Sequence, residues 1–164
     1  MYKGILYVGI AGTGKTTIVK DYFADCDNPM AESDVLHTQV NFNNYTSALT
    51  LQNVVQSKVE KRTGTLFGPP VGKTMIYFID DLNMPVVDVY FTQQPIALVR
   101  QLIDYGTMYN RDDLSIQQRV EAVMFVCCMN PKSGSFFVDV RLTRHLTVVC
   151  LSVPEKEILA TIYT

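Results

Sequence analysis

The sequence has 164 residues, of which 48% are hydrophobic and 18% are charged, and its formal net charge is −2. This size and composition predict roughly one globular domain with a sizeable core rather than a disordered chain. A near-neutral charge without a dense basic run gives little electrostatic support to nucleic-acid binding. We recognise no signal peptide and no apolar stretch of about 18 residues, so we expect neither secretion nor a membrane span.

The four cysteines lack the spacing of metal ligands, and two of them are adjacent inside the apolar run 122–129. They are Cys26, Cys127, Cys128 and Cys150. We expect all four to be reduced residues of the core, which suits a cytoplasmic compartment.

Apolar strand-like segments alternate with helix-like segments along the whole chain. Strands are predicted at residues 4–8, 35–42, 75–81, 122–129 and 146–153. Helices are predicted at residues 14–24, 45–62 and 95–105, around Arg141 as a short helical or irregular stretch, and from Pro154 onward. Turn-rich or loop segments are predicted at residues 64–72 and 83–92. The alternation predicts the α/β class, with a mainly parallel five-stranded sheet covered by helices on both faces in three layers.

A phosphate-binding motif follows the first predicted strand. Residues 9–16 read GIAGTGKT and fit the pattern GxxxxGK[ST]. Its glycines let backbone N–H groups turn toward a polyphosphate, Lys15 supplies a positive charge, and Thr16 can ligate Mg²⁺. A simple glycine turn is the alternative, but a strand before the motif and a helix after it favour a P-loop for a nucleoside triphosphate such as ATP. The predicted nucleotide-binding residues are Gly9, Ala11, Gly12, Thr13, Gly14, Lys15, Thr16 and Thr17.

A second acidic motif ends the third predicted strand. Residues 75–81 read MIYFIDD, an apolar run of the kind that is buried on both faces of a parallel sheet. Asp80 is predicted to hold Mg²⁺ together with Thr16, directly or through water. Asp81 occupies the position that normally polarises the attacking water. The alternative is that two aspartates merely cap a strand.

The segment GPPVGKT at residues 68–74 also ends in GKT, but it does not fit a second phosphate loop. Only three residues separate Gly68 from Gly72, two of the residues are prolines, and a strand rather than a helix follows. We predict a turn here.

Three polar residues lie farther along the chain. Asn130 follows a predicted strand and can orient the attacking water or sense the γ-phosphate, as sensor I does in AAA+ ATPases, or it can begin an Asn-Pro turn; both roles are compatible. Arg141 and Arg144 precede the last strand, where ring ATPases carry an arginine finger that acts on the nucleotide of the adjacent module. The alternative is that both are surface residues of a short helix.

With these motifs in order, the chain resembles the large subdomain of an AAA+ module and, more closely, the third AAA+ module of dynein heavy chains. The resemblance rests on NFNNYTSALTLQ, SKVEKR, GPPVGK, FIDDLNMP and QPIALVRQLIDYG. The segment CMNPKSGSFFVDVRLTRHL is similar to the version in axonemal outer-arm heavy chains. Leu146 stands where the family often has Phe, and an aromatic residue usual near Met108 is lacking; both departures concern ring contacts and not the phosphate site.

The resemblance implies a regulatory module of a hexameric AAA+ ring that moves along microtubules in cilia or flagella. Its nucleotide state would gate how the first module couples to microtubule release. The implied partners are the neighbouring AAA+ modules of the same heavy chain and, through other regions, microtubules and dynein light and intermediate chains. The implied location is the cytoplasm, cytoskeleton and axoneme. The family also carries a helical lid, further modules, a stalk and a tail, so we expect residues 1–164 to be a fragment that forms the AAA+ large subdomain.

Asp81 predicts slow hydrolysis, because most AAA+ proteins have the longer Glu at this position. Two other functions compete with the regulatory module. A stand-alone P-loop NTPase or small-molecule kinase would need a substrate lid and a base of its own, and the sequence offers neither clearly. A structural ring segment without nucleotide chemistry is disfavoured by the intact Lys15, Thr16 and Asp80.

Overall fold

A computed structural model describes residues 4–28, 33–132 and 138–163 of the chain. In chain order its elements are β1 (Gly4–Val8), α1 (Lys15–Cys26), β2 (Val35–Asn41), α2 (Ala48–Lys58), β3 (Glu60–Lys61), β4 (Leu66–Gly68), β5 (Thr74–Asp80), α3 (Gln94–Tyr105), β6 (Thr107–Tyr109), β7 (Gln117–Val120), β8 (Val123–Met129), α4 (Val140–Thr143), β9 (Thr147–Cys150) and α5 (Lys156–Tyr163). Within these ranges, no helix combines the length and apolarity needed to cross a membrane.

The main sheet has five strands in the spatial order β2-β5-β8-β1-β9, and all of its neighbouring strands are parallel. Strand β8 therefore lies between β1, which leads into the P-loop, and β5, which ends at Asp80. Since parallel strands end at the same edge of a sheet, these three strands bring their carboxyl ends together. The predicted α/β class and five-stranded sheet are confirmed.

Two apolar clusters cover the two faces of this sheet. Successive residues of a strand point to opposite faces, and β5 and β8 follow this rule. On one face Tyr77, Ile79, Phe125 and Cys127 pack with Leu51, Val55, Val99 and Leu102 of α2 and α3. On the other face Ile76, Phe78, Val126 and Cys128 pack with Val19 and Phe23 of α1. The sheet is thus the middle of three layers.

The helices begin and end where their local sequence favours it. The Ser47 hydroxyl accepts a hydrogen bond from the Thr50 amide at 3.2 Å and caps the N-terminus of α2. Helix α3 has Pro95 in its first turn and ends at Gly106, whose left-handed φ of 65° is costless for glycine. Helix α3 therefore lies close to its predicted bounds.

A second, four-stranded sheet was not predicted from the sequence. It has the order β3-β4-β7-β6, with a parallel pair between β4 and β7 and antiparallel pairs on either side. The helix predicted over residues 45–62 was wrong at both ends, since α2 runs over Ala48–Lys58 and β3 follows it. The predicted turn at residues 68–74 is confirmed, with the Lys73 amide bonded to the Pro70 carbonyl at 3.0 Å.

The cysteines are all free thiols, but only two belong to the core. Cys127 and Cys128 are buried in β8, and burial raises the pKa of the Cys128 thiol to about 12, so it stays protonated at neutral pH. The prediction was wrong for Cys150, which is exposed, and for Cys26, which is half-buried. Cys150 ends β9, an edge strand with one hydrogen-bonded neighbour, and this position leaves its side chain in water.

Candidate nucleotide-binding site

The P-loop connects β1 to α1 and needs glycine at two positions for different reasons. A Cβ atom on Gly9 would lie 2.7 Å from the Leu151 carbonyl oxygen, closer than Cβ atoms come to nonbonded oxygens in proteins. Gly14 caps the N-terminus of α1 with a φ of 80°, in the left-handed region that other residues rarely adopt. These two constraints fix the close approach of the loop to the sheet and the turn of the backbone into the helix.

The rest of the loop has one buried residue and an exposed outer surface. The buried Thr13 donates from its hydroxyl to the Ile10 carbonyl at 2.9 Å, which closes the loop internally. Ala11, Gly12 and Thr17 are exposed. Some of the predicted nucleotide-binding residues therefore stabilise the loop from inside, and others are exposed on its surface.

The ammonium group of Lys15 lies against the inner side of the loop. Its ammonium donates to the carbonyl oxygens of Gly9 and Ile10, both at 2.8 Å, and lies 3.4 Å from the Thr13 hydroxyl. All three ammonium hydrogens thus have acceptors from the loop. A polyphosphate wrapped by this loop would meet a positive charge that the loop itself positions.

Thr16 and Asp80 are in direct contact. The Thr16 hydroxyl donates to the Asp80 carboxylate oxygens at 3.1 and 3.3 Å, although the residues belong to different elements, α1 and β5. A hydroxyl and a carboxylate are oxygen ligands of the kind that Mg²⁺ prefers, usually together with phosphate oxygens and water. The donor chemistry of this pair fits Mg²⁺.

Asp81 lies beside this pair in an unusual backbone conformation. Its φ is 55°, and its amide donates to the Asp80 carboxylate at 3.2 Å. Partial burial and then the charge of Asp80 raise the pKa of the Asp81 carboxyl, while the charge of Lys15 opposes the rise. A carboxylate with a raised pKa is a better proton acceptor, which suits a group that polarises water.

Asn130 lies at the same edge of the sheet, directly after β8. Its side-chain oxygen accepts a hydrogen bond from the Lys132 amide at 3.1 Å, so Asn130 does begin a turn, as one of its two predicted roles requires. The backbone carbonyl of Asn130 accepts a bond from the Asn83 side-chain amide at 3.0 Å. The role of Asn130 toward water or phosphate stays a prediction.

Asn83 is a site residue to which the sequence reasoning assigned no role. It is buried, and its bond to Asn130 joins the segment after β5 to the end of β8. The sequence signal is in FIDDLNMP, where the polar Asn83 follows the apolar Leu82. In the structure Leu82 is fully buried. A buried amide in such a place needs a hydrogen-bond partner, and here that partner is the strand end that carries Asn130.

The two predicted arginine-finger candidates are not part of this cluster. Arg144 donates from Nε to His145 Nε2 at 2.9 Å, and its terminal nitrogen lies 3.8 Å from the Asp104 carboxylate of α3. Arg141 is exposed, and its guanidinium has no hydrogen bond or ion pair with any residue in the described ranges. The structure therefore gathers Lys15, Thr16, Asp80 and Asp81 and leaves both arginines outside.

Comparison with known proteins gives the family. The sequence model of the family described as P-loop containing dynein motor region matches residues 1–154. The chain belongs to this dynein motor family. The match covers the P-loop, both aspartates, Asn130 and both arginines, so the nucleotide site described above is that of a P-loop ATPase family. The predicted resemblance to dynein heavy chains is confirmed.

Curated dynein relatives align with nearly the whole chain. Dynein axonemal heavy chain 9 of Homo sapiens is 45% identical over 160 residues, which are 98% of this chain and 4% of that protein. The ciliary dynein beta chain of Heliocidaris crassispina is 42% identical over 97% of this chain and 3% of its own length. The dynein beta chain of the flagellar outer arm of Chlamydomonas reinhardtii is 35% identical over 96% of this chain and 3% of its own length. The chain thus spans a small part of the dyneins that it matches.

Proposed function

We propose that residues 1–164 form the large subdomain of the third AAA+ module of an axonemal dynein heavy chain. This module binds Mg-ATP, hydrolyses it slowly and regulates the motor through its nucleotide state. The observation that carries the proposal is the contact between Thr16 and Asp80 beside the loop-bound Lys15. A phosphate-binding charge and a pair of magnesium ligands are thereby brought to one place from α1 and β5.

Each residue at this edge of the sheet has a separate task in the proposed reaction. The P-loop and Lys15 hold the phosphates, and Thr16 and Asp80 hold Mg²⁺, which when bound neutralises charge on the phosphates. Asp81 polarises the attacking water, and Asn130 orients it. The carboxylate of Asp81 has one methylene less than the Glu usual in AAA+ proteins, so it reaches the water less well. The proposed regulatory role of this site therefore depends more on holding ATP than on cleaving it.

The exposed arginines serve a neighbouring module in this proposal. Arg141 has a free guanidinium, whereas Arg144 is engaged with His145 and Asp104. Both remain candidates for the finger that steadies the transition state of the adjacent module. The free guanidinium favours Arg141 for direct contact with that nucleotide. Arg144, at the end of α4, is left with a supporting role through its contact with Asp104 of α3.

The proposed setting follows from the relatives described above, which are axonemal, ciliary and flagellar outer-arm dyneins. We place this chain in the cytoskeleton of the axoneme, within the cytoplasm of a cilium or flagellum. Its direct partners are the neighbouring AAA+ modules of the same heavy chain. Microtubules and dynein light and intermediate chains are partners through other regions, and neither nucleic acid nor membrane is a partner.

The experiment is a nucleotide titration, with and without Mg²⁺, on a heavy-chain motor that contains this segment and its flanking modules. Photolabelling by an azido-ATP probe followed by peptide mapping would locate the nucleotide. We expect Mg²⁺-dependent labelling of the P-loop peptide and slow turnover at this site. Absence of labelling would indicate that the segment is only a structural part of the ring. Rapid phosphoryl transfer to a small molecule would indicate a kinase instead.

A further inference from the structure

Three strongly exposed apolar side chains lie side by side in the loop between β5 and α3. We call residues 88–92, with sequence DVYFT, the apical turn. Val89, Tyr90 and Phe91 of this turn are 85%, 82% and 88% exposed. Single exposed apolar residues are ordinary, but three consecutive ones that include two aromatic rings form an apolar patch that calls for a partner.

The apical turn is a rigid structure and not a loose loop. The Asp88 amide donates to the Thr92 carbonyl at 2.9 Å, and the Asp88 carboxylate accepts bonds from the amides of Tyr90 and Thr92 at 2.8 and 2.9 Å. The Thr92 hydroxyl also donates to this carboxylate, at 2.5 Å. These bonds fix the backbone that carries the three apolar side chains, so a partner would bind them with little loss of conformational entropy.

The backbone of Phe91 is strained. Its φ is 59°, in the left-handed region that is uncommon for residues other than glycine and is an outlier for bulky side chains. The ring is almost fully exposed, so packing within the described residues does not compensate for this strain. Strain of this kind persists where the surrounding structure fixes the backbone, as the hydrogen bonds of Asp88 do here, and it is common at functional surfaces.

A small cleft beside the apical turn carries unpaired positive charge. Its volume is about 80 Å³, and it is lined by Phe91, Arg100, Asp139 and Arg141 among others. Neither guanidinium has a hydrogen bond or an ion pair with any residue that the structure describes. Asp139, the only acidic residue among the described residues of the lining, caps α4 by accepting a bond from the Arg141 amide at 3.0 Å. The cleft therefore suits an anionic group beside an apolar surface.

We propose that the apical turn docks onto the adjacent AAA+ module of the same heavy chain. The inference rests on the proposed function, in which Arg141 reaches the nucleotide of that module. Phe91 and Arg141 line one cleft, so a module close enough to present a phosphate to Arg141 also covers Phe91. The partner surface carries an apolar patch for the three side chains of the turn and an anionic group for the cleft.

The first test is site-specific photocrosslinking in the complete heavy-chain motor. A benzophenone amino acid replaces Phe91 in one variant and Val71 in a control. Val71 is 90% exposed but precedes β5, so it lies at the opposite edge of the sheet. We expect crosslinks from position 91 to map to the adjacent module and those from position 71 to map elsewhere. Crosslinks from position 91 only within this segment, to a separate chain or to nothing would overturn the proposal.

The second test removes the ring without disturbing the fold. Phe91→Gly deletes the side chain and accepts the left-handed φ, so the turn is preserved. We expect turnover in the adjacent module to fall at least about fivefold, a coupling of ordinary size, while labelling of the P-loop peptide in this segment is unchanged. A Val71→Gly control should leave both properties intact, and equal effects of the two variants would contradict the docking role.

The two proposals fail in different ways. Loss of the crosslink with normal P-loop labelling would reject the docking surface alone. Absence of P-loop labelling with a normal crosslink would reject the nucleotide function of this segment and leave the apical turn as an interface.

Discussion

The Thr16 hydroxyl donates to both carboxylate oxygens of Asp80, at 3.1 and 3.3 Å, across the strand that separates β1 from β5. The two groups that we propose to hold Mg²⁺ therefore lie within hydrogen-bond distance of each other. When bound, a Mg²⁺ ion would be held by the Thr16 hydroxyl and, directly or through water, by the Asp80 carboxylate.

Replacing the P-loop lysine should remove nucleotide from this module. Lys15→Ala deletes the ammonium that the carbonyls of Gly9 and Ile10 position, so we expect affinity to fall at least about 100-fold, which is about 2.7 kcal/mol. Calorimetric titration of the motor should then show one bound nucleotide fewer per heavy chain. Lys20→Ala is the matched control, since Lys20 is exposed on the same helix; an equal loss in both variants would contradict the role of Lys15.

Asp81→Asn should separate turnover from binding. The amide retains the shape of the carboxylate but cannot polarise water, so we expect turnover to fall about 100-fold or more and affinity to change less than about twofold. Single-turnover measurements with the other P-loop lysines of the motor replaced would isolate this site. Asp34→Asn, at an exposed position before β2, is the control. Equal losses of affinity in Lys15→Ala and Asp81→Asn would defeat the assignment of separate roles.

The raised pKa of Asp81 should be visible in pH profiles of both activity and stability. Turnover requires the ionised carboxylate, so its acid limb should lie above the ordinary carboxyl value of 3.8. Because the folded state binds this proton more tightly than the unfolded state, the stability contributed by protonated Asp81 is full below the ordinary value and is lost as pH rises through the raised one. Thermal unfolding of Asp81→Asn should lack this loss. A profile identical to that of the parent chain would show that Asp81 does not titrate there.

The two arginines should respond differently to removal. We expect Arg141→Ala to lower turnover in the adjacent module by up to about 10³-fold without a change in stability. Arg144→Ala should instead lower the unfolding free energy by less than about 1 kcal/mol, as is usual for an exposed ion pair. Asp104→Asn is the matched control for the stability effect, since it removes the other partner. A larger loss of turnover in Arg144→Ala would reverse the assignment.

Gln52 should hold the second sheet to α2. Its buried side chain donates to the Tyr109 carbonyl at 2.8 Å and accepts a bond from Arg111 Nε at 2.8 Å. Gln52→Ala leaves the Tyr109 carbonyl without this partner, so we expect a loss of about 2 kcal/mol and faster hydrogen exchange in β6 and β7. Asn53→Ala, at the exposed neighbouring position, should change neither quantity.

The P-loop and the main sheet could be predicted from sequence because their signals are local. The turn at Gly14, the charge of Lys15 and the apolar run into Asp80 each depend on residues within a few positions of one another. Alternation of such runs with helices then limits the sheet to parallel pairing. The structure contains these features, and their bounds differ from the predicted bounds by a few residues.

The second sheet could not be predicted in the same way. Its strands contain two to four residues, too short for an alternating pattern, and the pairing of Leu66 with Arg119 joins distant parts of the chain. The residues after α2 were assigned to a longer helix because nothing local indicates the pairing partner. The contact of Arg144 with Asp104 was equally hidden, since an exposed arginine has no sequence signal for its partner.

The position of β8 also sets the width of the gap that the reaction needs. Two interstrand spacings, roughly 9 to 10 Å, separate β1 from β5. Cys128 lies in this interval on the face that packs against α1, and its backbone carbonyl accepts a hydrogen bond from the Leu82 amide, two residues after Asp80, at 3.0 Å. The strand thus acts as a spacer between the phosphate cradle and the carboxylate. A bulkier side chain in place of Cys128 would press α1 away from the sheet, and so would part Thr16 from Asp80 without replacing either residue.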